Sequence, residues 1–361
     1  MTTTAEYGLG PQTFPRGWFM VADAAELDGG RPLAVRFFGQ DFALYRGKSG
    51  KVIMLDAYCP HMGTHLTKNT TSYVIQDGQV EGDSIRCPYH AWRFGPDGKC
   101  DHIPYYDGPI PKAAAVKSWP VEERMGCVFV WHDPEGGAPD YDCPALAEWD
   151  DPAWMRWEAL DHMGTINSHP CEILDNMADL PHLTAMHGGA RSAYFENEFD
   201  GHVVIQRQGM TSRQPGVPPD HVFGNLTWYT GPGVLLSRLL NQPTEGVIFI
   251  AHTPVDDGVT KVWQAVLSRS AGDCPTDAER AHAKERQAVL KWGIGQDFEI
   301  WSTKQPCLQV MQIPTDGPFD KVRTWYKQFY HPRAEVAAIQ RQVNGIHRVR
   351  GMAGAPAMAA Q

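Results

Sequence analysis

CPHMGTHL (59–66) and CPYHAWRFGPDG (87–98) decide the reading of this chain. The first spaces its cysteine and histidine as C-x-H, the second as C-x-x-H. Each follows a run that reads as a strand and opens into a loop. Two neighbouring loops can therefore present one cysteine and one histidine each to a shared centre. A proline follows each cysteine, and Gly63 and Gly95 supply turns. Two matched half-motifs with these donors point to a bound metal rather than to four unrelated core residues.

The rest of the chain suits such a role. Its 361 residues are enough for two domains. With 42% hydrophobic and 20% charged residues it has the make-up of a soluble globular protein. A formal net charge of −10 argues against a nucleic-acid partner. No apolar stretch is long enough to cross a bilayer. The opening MTTTAEYGLGPQTFPRGWF has neither the basic start nor the apolar run of a secretory leader. No membrane association and a cytoplasmic location are expected. Eight cysteines do not make a disulfide scaffold. Cys100, Cys127, Cys143, Cys171, Cys274 and Cys307 lack ligand spacing and read as buried thiols. His65 and His102 read as structural or surface residues. The Ala-rich tail (351–361) is expected to fray.

Around the two boxes the pattern is β. Residues 32–38, 42–45, 52–58 and 127–131 are short runs rich in β-branched and aromatic residues, with turn signals between them. A Pro/Gly/Asp-rich stretch (133–144) holds the boundary, giving domains at 15–135 and 136–355. In the second domain, 169–187 is helical after Pro170. Residues 203–208, 224–229, 247–252 and 260–268 read as antiparallel strands. A long helix starts at Thr276, where Thr276 and Glu279 form a capping box, and runs to about Lys304, with Pro306 beyond it. A last helix is expected over 333–350. The fold class is α+β, an all-β domain followed by an α+β domain.

Two metals fit the boxes. Zinc accepts two cysteines and two histidines tetrahedrally. A Rieske [2Fe–2S] cluster takes two cysteines on one iron and two histidines on the other. The alternating order favours the cluster, on Cys59, His61, Cys87 and His90, because zinc fingers usually group like ligands. The boxes resemble those of the Rieske non-heme iron oxygenases. A non-catalytic Rieske electron-transfer protein and a zinc-stabilised binding module remain alternatives.

A second constellation lies in CEILDNMADLPHLTAMHGG (171–189). Asp179 and His182 are three apart and share a helical face. His182 and His187 are five apart, so one metal takes both only if the helix bends or ends between them. Pro181 and Gly188–Gly189 are consistent with that. Two histidines and a distant carboxylate form the facial triad of non-heme Fe(II) oxygenases, with positions open for O2 and substrate. The third ligand is expected to be Asp297 in GIGQDFEIW (293–301), where Gly293 and Gly295 are read as allowing close backbone approach. Glu299 competes with it, and is otherwise a solvated helix charge.

The resemblance adds further expectations. In the family the carboxylate ligand comes from this late helix. The family aspartate matching Asp179 bridges a neighbouring subunit's Rieske histidine to an iron-site histidine, and Asn176 matches a polar position beside the iron. DGKCDHIPY (97–105), FVWHDPEG (129–136), QDFEIW (296–301) and RTWYKQFY (323–330) are most similar to the oxygenase component of 3-ketosteroid 9α-hydroxylase. That subgroup implies a helix-grip (START-like) catalytic domain, a homotrimer and a bulky hydrophobic, steroid-like substrate. It also implies O2 as co-substrate and electrons from a separate NAD(P)H-dependent ferredoxin reductase, with or without a ferredoxin. GPGVLL (231–236) and GIGQDF (293–298) fall short of G-x-G-x-x-G, so NAD(P)H enters only through that partner. Electrons would pass from the cluster through His61 or His90, Asp179 and His182 to Fe(II), and C–H hydroxylation would follow. The segment 69–81 is longer than in steroid hydroxylases. It keeps oxidative N- or O-dealkylation of an aromatic compound open. Met186, Trp228, Tyr229, Phe249 and Trp263 could line the pocket or simply be core.

Overall fold

The structure is a computed structural model that describes residues 2–356, so residues 357–361 of the Ala-rich tail lie outside the described residues. Contacts divide the chain into Trp18–Cys143 and a second unit of Met1–Gly17 with Pro144–Gln361. The first seventeen residues join the second unit because Thr4 and Tyr7 bond His169 and Glu172 there.

The first unit is built from three small sheets. Strands β1 (Gly17–Asp23), β2 (Leu33–Phe37), β3 (Gln40–Arg46) and β4 (Val52–Asp56) precede a four-residue helix, α1 (Tyr73–Gln76). Then come β5 (Val80–Glu81), β6 (Ser84–Arg86), β7 (Arg93–Phe94), β8 (Cys100–His102), β9 (Ser118–Trp119), β10 (Val121–Arg124) and β11 (Cys127–His132). The sheet orders are β1-β11-β10, β2-β3-β4-β9 and β5-β6-β7-β8. The cysteine boxes follow β4 and β6, as the strand pattern predicts. The long segment between them is ordered: the Asn69 carboxylate-like amide oxygen accepts the N–H groups of Thr71 and Ser72 ahead of α1.

The second unit is a nine-stranded antiparallel sheet crossed by a long helix. Its elements are β12 (Trp154–Met155), β13 (Asp161–Ile166), α2 (Pro170–Leu174), a 3-10 turn (Asp175–Met177), α3 (Pro181–Ala185), β14 (Gly189–Asp200), β15 (Val203–Ser212) and β16 (Val222–Thr230). They continue with β17 (Val234–Leu240), β18 (Gly246–Asp256), β19 (Val259–Arg269), α4 (Asp277–Thr303), α5 (Phe319–Lys327), α6 (Arg333–Gln340) and β20 (Gly345–Arg348). The order is β12-β19-β18-β17-β16-β15-β14-β20, with β13 also on β19. This is the helix-grip arrangement. No helix of the described residues is long and apolar enough to cross a membrane.

Thr276 caps α4 with the expected reciprocal bonds to Glu279. Asp161 on β13 ties the middle of α4 down: its carboxylate accepts from Gln287 at 2.9 Å and Lys291 at 3.0 Å. The expected last helix (333–350) is corrected. It stops at Gln340, and 345–348 form a strand on the open edge of β14, where Arg348 meets Glu196 at 2.8 Å. Gly345, at φ +111°, cannot continue a helix. Strand β14 itself carries Glu196 and Asn197 buried among its residues, so its polar sequence hides it from the alternation rule. The thiols also divide: Cys274 is exposed and Cys307 half-buried, because both sit in connections flanking α4.

The three-residue turn after α2 is fixed by charge. Arg323 on α5 makes two hydrogen bonds to the Asp175 carboxylate, at 2.9 and 2.5 Å, and both side chains are largely buried. Burial raises the Asp175 carboxyl, and Arg323 offsets only part of that. Arg323→Ala leaves a buried carboxylate without its cation. It is expected to cost about 3–5 kcal/mol, read as a lower unfolding midpoint of the second unit by near-ultraviolet circular dichroism. An unchanged midpoint would show that the pair contributes nothing.

Candidate metal centres

The two cysteine boxes fold into the same turn. Cys59 N–H donates to the Thr64 carbonyl at 2.9 Å, and Gly63 N–H donates back to Cys59 at 2.9 Å. Cys87 N–H donates to the Trp92 carbonyl at 2.8 Å, and Ala91 N–H donates back to Cys87 at 3.0 Å. In each loop the fourth residue after the cysteine has positive φ, Gly63 at +69° and Ala91 at +56°. The counterpart of Gly63 is thus Ala91, not Gly95, and Ala91 holds a left-handed conformation costing about 1–2 kcal/mol. The Gln79 amide donates to the carbonyls of Leu66 and Arg86, stitching the two boxes together.

The four donors form two close pairs, the thiols and the imidazoles. The buried thiols of Cys59 and Cys87 share a hydrogen bond that holds Cys87 down to about 6 and pushes Cys59 well above the ordinary thiol range. The His61 and His90 rings lie 4.7 Å apart between centroids. Two buried sulfurs and two more exposed imidazoles would suit the two-cysteine, two-histidine ligand set of a Rieske cluster. His65 stands aside, its Nδ1 accepting Thr67 N–H at 3.2 Å and its ring edge-on to Tyr58. His102 is exposed on β8.

The second cluster forms around the break between α2 and α3. After Met177 the helical path stops, freeing its carbonyl, which accepts the amides of Asn197 at 2.7 Å and Gln206 at 2.8 Å. Pro181 then starts α3 at a position where its missing N–H costs nothing. Helix α3 ends at Ala185 and Gly188 turns at φ +74°, so His187 swings back toward His182. Ligand atoms of His182, His187 and Asp297 all lie within 4.8 Å of one another. Asp297 is buried on α4 while Glu299, on the opposite side of the helix, is exposed. The glycine reasoning is corrected: a Cβ at Gly293 or Gly295 would meet nothing within 4 Å.

Hydrogen bonds orient each candidate ligand. His182 Nδ1 lies 2.6 Å from the Asp179 carbonyl, which can only accept, so Nδ1 carries a proton and Nε2 is the ring atom left to meet a metal. His187 Nδ1 lies 3.2 Å from Gln296 Oε1, and its Nε2 is 3.3 Å from Asp297 Oδ2. Gln296 Nε2 donates to the Met186 carbonyl, which leaves its oxygen toward His187. Asn176 Nδ2 donates to Asp297 Oδ1 at 3.2 Å, turning Oδ2 toward the histidines. Asp297 raises His187 above its ordinary value against burial. Burial raises the Asp179 carboxyl, but His182 outweighs it and leaves the group below its ordinary value. The Asp179 side chain keeps 35% of its exposure. These residues fit an iron held by two imidazoles and a carboxylate. Gln296 was missed from sequence; its only signal was standing beside Asp297.

A cavity of about 320 Å³ opens beside His187. Met210, Phe223 and Leu239 form apolar wall, and Gln208 and Asn225 face each other across β15 and β16. Of the five residues weighed between pocket and core, Met186, Trp228, Tyr229, Phe249 and Trp263, none lines it. Trp228, Phe249 and Trp263 fall on the other face of the sheet by strand alternation, and Tyr229 packs under α5.

Comparisons with known proteins cover both units. Residues 17–120 match the Rieske [2Fe-2S] domain, and residues 130–330 match the 3-ketosteroid 9α-hydroxylase C-terminal domain. The chain belongs to the 3-ketosteroid 9α-hydroxylase family of Rieske oxygenases. It is 32% identical over 343 residues to a probable 3-ketosteroid-9-alpha-monooxygenase oxygenase component of Rhodococcus rhodochrous, covering 91% of this chain and 82% of that one. It is 31% identical to the corresponding component of Mycolicibacterium smegmatis, covering 91% and 86%. In fold it is similar to NdmA of Pseudomonas putida CBB5 with caffeine, at a TM-score of 0.67, 18% identity and coverage of 93% and 97%. As a member of this family it is a Rieske-type non-heme iron monooxygenase. It uses a [2Fe–2S] cluster, mononuclear iron, O2 and electrons from a separate reductase.

Gln296 touches His187 on the side away from Asp297. Gln296→Ala is expected to weaken Fe(II) binding about 10- to 100-fold, measured by anaerobic titration. Wild-type affinity would remove it from the site.

Proposed function

We propose that this chain is the terminal oxygenase that hydroxylates a bulky, neutral, steroid-like substrate. Cys59, His61, Cys87 and His90 hold the [2Fe–2S] cluster, and His182, His187 and Asp297 hold the iron. The carrying observation is that His187 is shared between the three-ligand cluster and the cavity. Among the described residues no lysine, arginine or carboxylate lines that cavity, so an ionised substrate would lose its hydration without compensation. Apolar walls with two facing carboxamides suit a hydrophobic body carrying a carbonyl or hydroxyl group. The relatives' printed substrate, a 3-ketosteroid, has that chemistry.

Bound at this site, iron supplies the activation of O2. The protein's own part is to orient His182 through the Asp179 carbonyl and His187 through Gln296, and to hold Asp297 through Asn176. Asp179 is read as the bridge to a neighbouring copy in a homotrimer: its carboxylate is partly exposed and its backbone carbonyl already orients His182. The electron donor is read as an NAD(P)H-dependent ferredoxin reductase, and the location as cytoplasmic.

Turnover of a steroid panel and of N- and O-alkyl aromatics, with a reductase added, tests the reading. Turnover of the aromatics alone would replace hydroxylation of a steroid with oxidative dealkylation. His182→Ala is expected to lose the mononuclear iron and keep the cluster spectrum; loss of both would indicate misfolding. Asp179→Ala is expected to keep both metal centres and lose turnover. Normal turnover would sink the bridging role.

A further inference from the structure

The two cluster histidines stand in unlike surroundings. The Trp92 indole lies flat on the exposed His61 ring, with centroids 4.5 Å apart and planes 6° apart. Trp92 is itself held: its Nε1–H donates to the Tyr105 hydroxyl at 2.7 Å. Its backbone carbonyl closes the second box by accepting Cys87 N–H. One residue therefore locks the loop of one box and covers the histidine of the other. His90 has no such fixture. The Tyr89 ring lies close to it but tilted by 41°, and the Tyr89 hydroxyl has no hydrogen-bond partner among the described residues.

We propose that Trp92, pinned by Tyr105, is a positioning residue that fixes the plane of His61 and lowers the reduction potential of the cluster bound there. This rests on the assignment of His61 as a cluster ligand. Reduction adds one electron, and so one negative charge, to the cluster. An electron-rich indole face over the imidazole disfavours that added charge. It also removes water from one side of the ring, and water would solvate the charge. Both effects act in the same direction. The Tyr105 bond keeps the indole from rotating off the imidazole, so an exposed residue outside both boxes has a role in setting the potential.

The test is a dye-mediated redox titration of the purified, cluster-loaded protein, with electron paramagnetic resonance of the reduced form. Trp92→Leu is expected to raise the midpoint potential and broaden the spectrum. Tyr105→Phe is expected to shift the potential in the same direction by less. Tyr89→Phe, which keeps its ring, is expected to leave the potential unchanged. Tyr105 is 61% exposed, so its variant carries the test even if Trp92→Leu fails to hold the cluster. A wild-type potential and spectrum in Tyr105→Phe, and in Trp92→Leu where it loads, would overturn the proposal. A purified wild-type protein without a Rieske spectrum would instead overturn the cluster assignment beneath it.

Discussion

A carboxylate removed from water has to find a compensating charge, and the catalytic unit is organised around three of them. Glu172, Asp175 and Asp297 are 2%, 6% and 8% exposed. Glu172 meets Lys304, at the end of α4, and the Tyr7 hydroxyl from the N-terminal arm. Asp175 meets Arg323 of α5. These two pairs draw α2, α4, α5 and the first residues of the chain together. Asp297 alone receives an amide and an imidazole and no permanent cation. That remaining negative charge, with the His182 and His187 rings beside it, is the electrostatic case for a bound metal ion.

The sheet contributes more than a floor. Its concave side carries a polar stripe of Gln206, Gln208, Asn225, Thr227 and Ser237 across three paired strands. Gln206 and Asn197 take up the carbonyl freed at Met177, so the break in the helix is held from below. Thr227 and Ser237 satisfy each other. Gln208 and Asn225 are left to face the cavity. One row of side chains thus both supports the turn before α3 and supplies polar groups to the cavity.

In the first unit, a single local turn is used twice. Placing each cysteine at the start of that turn gives its backbone N–H and carbonyl to the loop's own closure and frees its sulfur. The histidines then differ by one position, two residues after Cys59 and three after Cys87. This brings both rings to one side at 4.7 Å. Ala91 tolerates a strained conformation because the turn requires it.

The candidate donors are written in local sequence. Cys59, His61, Cys87, His90, His182 and His187 were legible because each pair is local, and the Thr276–Glu279 capping box because a cap is written in four residues. The β character of the first domain, the strands 203–208, 224–229, 247–252 and 260–268, and the long helix were legible from periodicity. Tertiary structure decided what depends on which face of an element is covered. Asp297 and Glu299 differ by two helical positions, about 200° around the axis, and only packing against the sheet chose between them. Strand alternation turned Trp228, Phe249 and Trp263 away from the cavity. The edge of β14 captured residues 345–348 from an expected helix. Gln296 and the Trp92–Tyr105 pair act through partners distant in sequence, and such contacts exist only once the chain has folded.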